Sequence, residues 1–341
     1  MQSCFNRPLV AAIKCPLVST VRSLGAALAG RPGSVRRPVI FFIIISSLAG
    51  LLAPSFLTVG NLQALLTNSS FLIVVAVGEA FVILVGMIDL GVESVLAASG
   101  MLVGWLTVFH DVPAGVAVAL TLAAGAAVGA VGGLLVARGG IPSFIVTLAT
   151  YWGFRGVALL FNGGNYISPD AVSPSRSFGF SAIAGTIGGI PVLIIIALAV
   201  VVGAQIIVSF TPLGAWIRAT GSNENAARAV GVRTNAIKVF ALAASGFMAA
   251  LAGIMITAWQ VSIYPLTGAG YSLQAIAGVI LGGIPFSGGR GTVVGAALGV
   301  LVIGVINDII VLIGLPALYE YIFVAVILVL AGLQARLASA K

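Results

Sequence analysis

Glu79 stands in the run FLIVVAVGEAFVILVGMIDL, with Asp89 ten residues further along the same stretch. Arg155 lies in FIVTLATYWGFRGVALL, Gln274 in YSLQAIAGVIL, and Asn307 and Asp308 in GVLVIGVINDIIVLIG. None of these runs offers an ionised group water. At the centre of a membrane helix a charged side chain costs about 2.5–3.5 kcal/mol on insertion scales, so none of them is expected to face lipid. Groups so placed pair with one another, carry a proton or cation, or line a polar path and hydrogen-bond a passing solute. Glu79, Asp89, Arg155, Gln274, Asn307 and Asp308 are therefore the candidate pathway residues. Glu79 and Arg155 both fall well inside apolar runs. They are expected to approach one another, or each to bind solute hydroxyls; the alternative for Arg155 is to reach the interface along its stem.

A second polar feature is of another kind. TGSNENAARAVGVRTNAIK (220–238) concentrates Glu224, Arg228, Arg233 and Lys238 between two long apolar runs. Ser222 is placed as an N-cap, Glu224 sits in the first turn where the helix dipole favours an anion, and Gly231 is placed as the C-terminal stop. Glu224 and Arg228 have i, i+4 spacing in the favourable order. The pattern predicts a helix of about eight residues, ~12 Å long. Ala226, Ala229 and Val230 form its small, smooth remaining face. A short rigid helix with such a face suits a helix-in-groove contact better than it suits a mere connector.

The elements that must hold these groups are apolar helices. Of 341 residues, 60% are hydrophobic and 7% charged, with a mean hydropathy of +1.21; a soluble domain is about one quarter charged. The fold class is all-α, a polytopic membrane protein. The 44 glycines let helices approach closely in lipid. Spans are predicted near 38–54, 70–88, 92–110, 113–137, 141–161, 191–210, 238–258, 271–285, 292–312 and 317–335, about ten in all. The glycine-rich 271–285 is either a full span or re-entrant, and is counted as a span. With the N-terminus inside, all but two of the 16 basic residues fall at the inner ends; Arg176 lies outside and Arg155 within a span. That asymmetry is what the positive-inside rule requires, and it places both termini in the cytoplasm. The chain divides into a basic tail (1–37), a transmembrane domain (38–335) with a long cytoplasmic loop (211–237), and a short tail (336–341). The stretches 77–104 and 277–304 share a shape that suggests an internal repeat.

Composition and motifs also exclude. The net charge of +8 belongs to the inner ends and to a tail lying on anionic lipid, and does not point to nucleic acid. Cys4 and Cys15 suggest neither a disulfide framework nor a metal site. His110, the single histidine, sits at an outer span end with no activated serine motif. No GxxxxGK[ST] phosphate loop occurs, so any ATP hydrolysis must come from a partner. Asp111, Asp170, Asp308 and Glu320 fall at or near outer ends and could form an acidic rim that docks a partner by charge.

GSNENAARAVGV followed by SGFMAALAGIM, then GEAFVILVGMIDLGVES, and GYSLQAIAGVILGGIPFSGGRGTVVGAALGVLVIGVIND resemble three segments of the ribose-, xylose- and arabinose-type permeases of bacterial ABC importers. That group also holds autoinducer-2 permeases. The likeness covers roughly residues 40–335, with the segments in family order. It implies a pore-forming subunit of the bacterial inner membrane that does no chemistry and binds no cofactor. A second permease copy would complete the pore. Partner ATPase subunits would hydrolyse ATP with Mg²⁺, and a periplasmic or lipid-anchored binding protein would deliver solute, most simply a monosaccharide. The resemblance makes the 211–237 loop the coupling element, with Gly221, Asn223, Glu224, Ala227, Arg228 and Gly231 as its contact residues. Glu79, Gly91, Glu93 and Asp308 depart from the family pattern, which keeps autoinducer-2 and nucleoside solutes open. The rival class is a secondary transporter using Glu79 and Asp308 as proton or cation sites.

Overall fold

The computed structural model describes residues 35–169, 178–316, 318–320, 322–326 and 329. Helix α1 (Arg36–Leu52) leads through a 3₁₀ turn (Pro54–Leu57) into α2 (Val59–Leu84), followed by α3 (Val92–Val108), α4 (Ala114–Ala137) and α5 (Ser143–Leu160). A short helix α6 (Ser181–Ala184) and a two-residue antiparallel pair, β1 (Thr186–Ile187) with β2 (Ile190–Pro191), precede α7 (Val192–Phe210). Next come α8 (Pro212–Ser222), α9 (Glu224–Ala229), α10 (Thr234–Gln260), α11 (Tyr271–Leu281) and α12 (Val293–Leu312). Among the described residues, α2, α4, α5, α7, α10 and α12 are long and apolar enough to cross a membrane. The tails, Cys4, Cys15, Asp170, Arg176 and most of the expected 317–335 span lie outside the described residues.

Helices α2 and α10 form the centre. Val74, Val75, Ala76, Val77 and Ala80 of α2, and Ala249, Ala250, Ala252, Ile254 and Met255 of α10, are fully buried. Helix α10 packs on α4, α2 and α3, while α12, α7 and α11 cover α2 from its other sides. The outer helices do the reverse. Ile43, Ile44 and Leu51 on α1, and Leu198, Ile206 and Phe210 on α7, are exposed, a surface stable only against lipid or another apolar chain.

Three boundaries differ from the sequence reading. Helix α2 begins at Val59, not near 70, and runs 26 residues, or about 39 Å. Its polar first turns look like loop in sequence, but several of their polar groups are satisfied locally. Thr58 caps the Asn61 amide, the Asn61 side chain donates to Phe56 O, and Ser70 donates to Leu66 O. The 89–91 segment, expected as a surface turn, is folded into the bundle, with Asp89 and Gly91 buried. Helix α11 has only 11 residues, about 16 Å, roughly half the thickness of a bilayer core. It stops at Gly282–Gly283, and the chain continues without helix to Thr292. Ile284, Gly288, Gly289 and Gly291 of this stretch are buried, while Gly283, Phe286, Ser287 and Arg290 are exposed.

Backbone contact, not side-chain interdigitation, joins α4 to α10. A Cβ on Gly129 would lie 2.0 Å from Leu242 O, and one on Gly125 2.5 Å from Gly246 O. Gly129→Ala is therefore expected to lower the melting temperature of the purified protein, at a cost of about 1–3 kcal/mol for overpacking. Gly203→Ala, which meets nothing within 4 Å, is expected to be neutral or slightly stabilising. Equal melting temperatures for the two would contradict the close crossing.

Candidate functional site

Arg155 donates from Nη2 to Glu93 Oε1 at 3.0 Å and from Nη1 to Pro265 O at 2.7 Å. Both side chains of the pair are under 10% exposed, and the guanidinium lies 5.7 Å from the centre of the Tyr151 ring. The other Glu93 oxygen accepts the backbone amides of Gly270 (2.9 Å) and Ser272 (3.3 Å). Helix α11 has no side-chain cap of its own. Its first amides would be unsatisfied in an apolar interior, and Glu93 from α3 satisfies them, its charge aligned with the dipole of α11. The expected Glu79–Arg155 pair does not form. Arg155 sits well along α5 at the height of Glu93, because α3 starts inside the bundle and not at its edge.

Glu79 instead lies beside Asp89. Both its oxygens are buried without a hydrogen-bond partner among the described residues, and the polar groups acting on it electrostatically are the Asp89 carboxylate and amide. Asp89 is better satisfied: Oδ1 accepts the Gly91 amide at 2.8 Å, and Oδ2 accepts the Ser245 hydroxyl at 2.8 Å. The remaining pathway candidates form two further clusters. Gln274 donates to Glu320, which also bonds Asn307, and Asp308 accepts from Asn61 Nδ2 at 2.6 Å. Of the expected acidic rim, Asp308 and Glu320 are partly exposed and hydrogen-bonded, Asp111 is exposed, and Asp170 lies outside the described residues. His110 packs against Trp105, ring centres 3.9 Å apart and planes tilted by 56°.

All six coupling candidates converge in α8, α9 and the turn that follows. The N-cap is Asn223, whose side chain accepts the Ala226 amide at 3.0 Å, and not Ser222, which ends α8. Helix α9 is six residues long, shorter than expected because the cap is one residue later and the helix ends at Ala229. Ala227 is buried beneath it, and Gly231 (φ +88°) makes the expected stop. Glu224 Oε1 accepts Arg228 Nη2 at 2.9 Å, and Oε2 accepts Lys238 Nζ at 2.7 Å. Arg228 also donates to Thr234 Oγ1 at 3.1 Å, so α9 is tied to the start of α10 at two points. Partial burial alone would raise the Glu224 carboxyl; the Lys238 hydrogen bond and charge, with Thr234 and Arg228, outweigh it and hold the group below its ordinary value. Ala226, Ala229 and Val230 remain exposed, Val230 at 80%.

Beneath α9, three backbones meet. A Cβ on Gly221 would lie 1.9 Å from Leu84 O and 2.7 Å from Gly289 N, and one on Gly289 2.2 Å from Ser222 Oγ. The Gly289 amide donates to Leu84 O at 2.9 Å. The end of α8 is thus pressed against the last turn of α2 and the 286–291 turn that follows α11. Glu79 lies five residues above Leu84 on α2.

Residues 61–332 match the family described as "Branched-chain amino acid transport system / permease component". The chain belongs to this permease family. It is 37% identical over 298 residues to the ribose import permease protein RbsC of Escherichia coli (strain K12), covering 87% of this chain and 92% of that one. To the L-arabinose ABC transporter permease protein AraH of Azospirillum brasilense it is 35% identical over 298 residues, covering 86% and 85%. The Yersinia enterocolitica autoinducer 2 import system permease protein LsrC is 33% identical over 287 residues, covering 82% and 76%. No solved structure matches.

Sequence reasoning about the permease missed Glu93 as a partner of Arg155, and Lys238 and Thr234 as the anchors of α9. The available signal for Glu93 was arithmetic: with few acids in the transmembrane region, the arginine placed within a span had few partners to choose from.

Glu93→Gln should destabilise the permease by about 3–5 kcal/mol, because it leaves a buried guanidinium unpaired. Adding Arg155→Gln should recover part of that loss in thermal unfolding, whereas Glu79→Gln, with no partner to lose, should be neutral or stabilising. A Glu79→Gln loss as large as that of Glu93→Gln would contradict the pairing. Glu224 has a depressed folded pKa, so its contribution is present above the usual carboxylate value of about 4.3 and is lost as pH falls through the lower folded value. The melting-temperature gap between wild type and Glu224→Gln should accordingly close below about pH 4; a gap that widens there would contradict the assignment.

Proposed function

We propose that this chain is the membrane-spanning subunit of an ATP-driven importer for a small polyhydroxylated solute, most simply a monosaccharide. On this reading it sits in a bacterial inner membrane with about ten spans and both ends cytoplasmic. It pairs with a second permease copy, receives solute from an external binding protein and takes its energy from ATPase subunits that hydrolyse ATP with Mg²⁺. The ribose and arabinose permeases among its relatives support the solute class.

The observation that carries the mechanism is the junction under α9. A partner groove would grip the exposed Ala226, Ala229 and Val230 face. Movement of α9 acts on α8, and α8 has no slack at Gly221, so it must push on the end of α2 and on the turn after α11. Both of those elements run from the junction into the bundle, α2 toward Glu79 and α11 toward the Glu93 clamp. The α9 ion pairs keep the gripped face rigid, so that displacement is passed on and not absorbed.

A second reading, ion-gradient-driven transport, draws support from the partnerless Glu79 beside Asp89, the arrangement a proton site would need. The two differ in what drives uptake. ATP-dependent uptake in vesicles that persists with an uncoupler supports the importer; ATP-independent uptake abolished by the uncoupler overturns it.

Glu224→Arg, Gly221→Ala and Gly231→Pro should each lower solute transport about 5- to 150-fold, the range of typical coupling between sites, while membrane insertion is retained. Proline cannot adopt the positive φ of Gly231. Normal transport with full ATPase stimulation in all three variants would remove the coupling assignment.

A further inference from the structure

A cavity of about 300 Å³ opens at the end of the bundle remote from α9, between α2, the last turn of α10 and the loop before α11. Phe71, Trp259 and Tyr271 line it with aromatic surface; Asn68, Gln260 and Thr267 supply amides and a hydroxyl. No charged side chain lines it, so the cavity suits a neutral solute. Asn68 and Gln260 make no side-chain hydrogen bond among the described residues. Each therefore has a donor and an acceptor to offer. Thr267 Oγ1 accepts the Tyr264 amide at 3.2 Å, which leaves its own proton to donate. Trp259 is 43% exposed, at the C-terminal end of α10 beside the exposed Gln260.

We propose that this cavity is a sugar-binding station, in which a monosaccharide lies with its C–H face on Trp259 and its hydroxyls on Asn68, Gln260 and Thr267. This rests on the importer reading above and assigns that importer a site. The chemistry of the ligand follows from the lining. The negative face of an aromatic ring attracts the weakly positive C–H groups of a sugar, while hydroxyls need partners that both donate and accept, which amides and hydroxyls are. The volume is at the lower end of the ~300–1,000 Å³ of small-molecule pockets, which favours one sugar ring over a disaccharide.

The site is also pre-shaped. Arg155 holds the Pro265 carbonyl and Glu93 holds the Gly270 and Ser272 amides, so the buried ion pair fixes the loop that carries Thr267 and the start of the helix that carries Tyr271. The other end of α11 runs through Gly282–Gly283 to the turn pressed against Gly221. One short helix therefore joins the cavity wall to the coupling junction, which gives the α8–α9 unit a direct means of changing the cavity's shape.

The test uses the importer assembled in lipid vesicles with its ATPase and binding-protein partners, and D-ribose, D-allose and L-arabinose as solutes. Trp259→Ala, Gln260→Ala and Asn68→Ala should each reduce sugar moved per ATP by about 3–10-fold, the scale of one lost interaction, with ATPase turnover unchanged. Trp259→Phe should retain most transport. On the detergent-purified importer, D-ribose should produce a saturable change in tryptophan fluorescence that Trp259→Phe removes. Wild-type uptake of any of these sugars with all three alanine variants at full efficiency would overturn the cavity assignment and leave the importer reading standing. ATP-dependent transport of none of them would overturn the sugar reading and the cavity with it. Parallel loss of transport, ATPase activity and thermal stability in the alanine variants would mark these residues as packing, and would also overturn the assignment.

Discussion

The start of α11 depends on a charge brought from another helix. An 11-residue helix beginning inside an apolar bundle has amides that neither water nor its own sequence can satisfy. Glu93 supplies both the acceptor and the negative charge, but a lone carboxylate at that depth would itself be too costly, so Arg155 is required to balance it. Arg155 in turn spends its second amino group on Pro265 O and rests near the Tyr151 ring. The result links α3, α5, the 265–270 loop and α11 through one pair of opposite charges. Replacing the pair by apolar side chains would remove the electrostatic cost and also the reason for α11 to begin where it does.

At the other end of the bundle the constraint is steric. Gly221, Gly289 and Leu84 bring three backbones closer than any Cβ would allow, and a backbone hydrogen bond from Gly289 to Leu84 fixes their register. Above that junction the α4–α10 crossing repeats the same device. In lipid there is no hydrophobic gain from bringing apolar helices together, so close packing must supply the association. The large number of glycines thus reflects contact surfaces more than flexibility. Glu79 breaks the pattern: it is fully buried, yet its carboxylate has no hydrogen-bond partner among the described residues.

Much of this was legible in the chain. Hydropathy placed the long helices, because a span needs a run of apolar residues whatever its neighbours are. Local chemistry gave α9 nearly complete: Glu224 with Arg228, and Gly231 as the stop, depend on residues within one or two turns. The N-cap moved from Ser222 to Asn223 because a close approach to Gly289 holds Ser222 in the preceding helix, a contact 67 positions away in sequence. The start of α2 was missed for the opposite reason: its polar residues read as loop, while nearby carbonyls and other elements of the fold satisfy Asn61, Gln63 and Ser70.

What the sequence determined by itself is therefore the class of the protein, the positions of its apolar segments, the absence of a phosphate loop and the short helix α9, all properties of composition or of residues a few positions apart. The tertiary structure alone decided which charges meet. Glu93 and Arg155 are 62 residues apart, and Glu79 was the more central acid on any hydropathy plot; the choice turned on the depth at which α3 begins. That depth is set by the 85–91 segment, whose path is held by contacts with α5 and α10, including the Asp89–Ser245 hydrogen bond across 156 residues. Height within a bundle is a property of packing, and no local pattern encodes it.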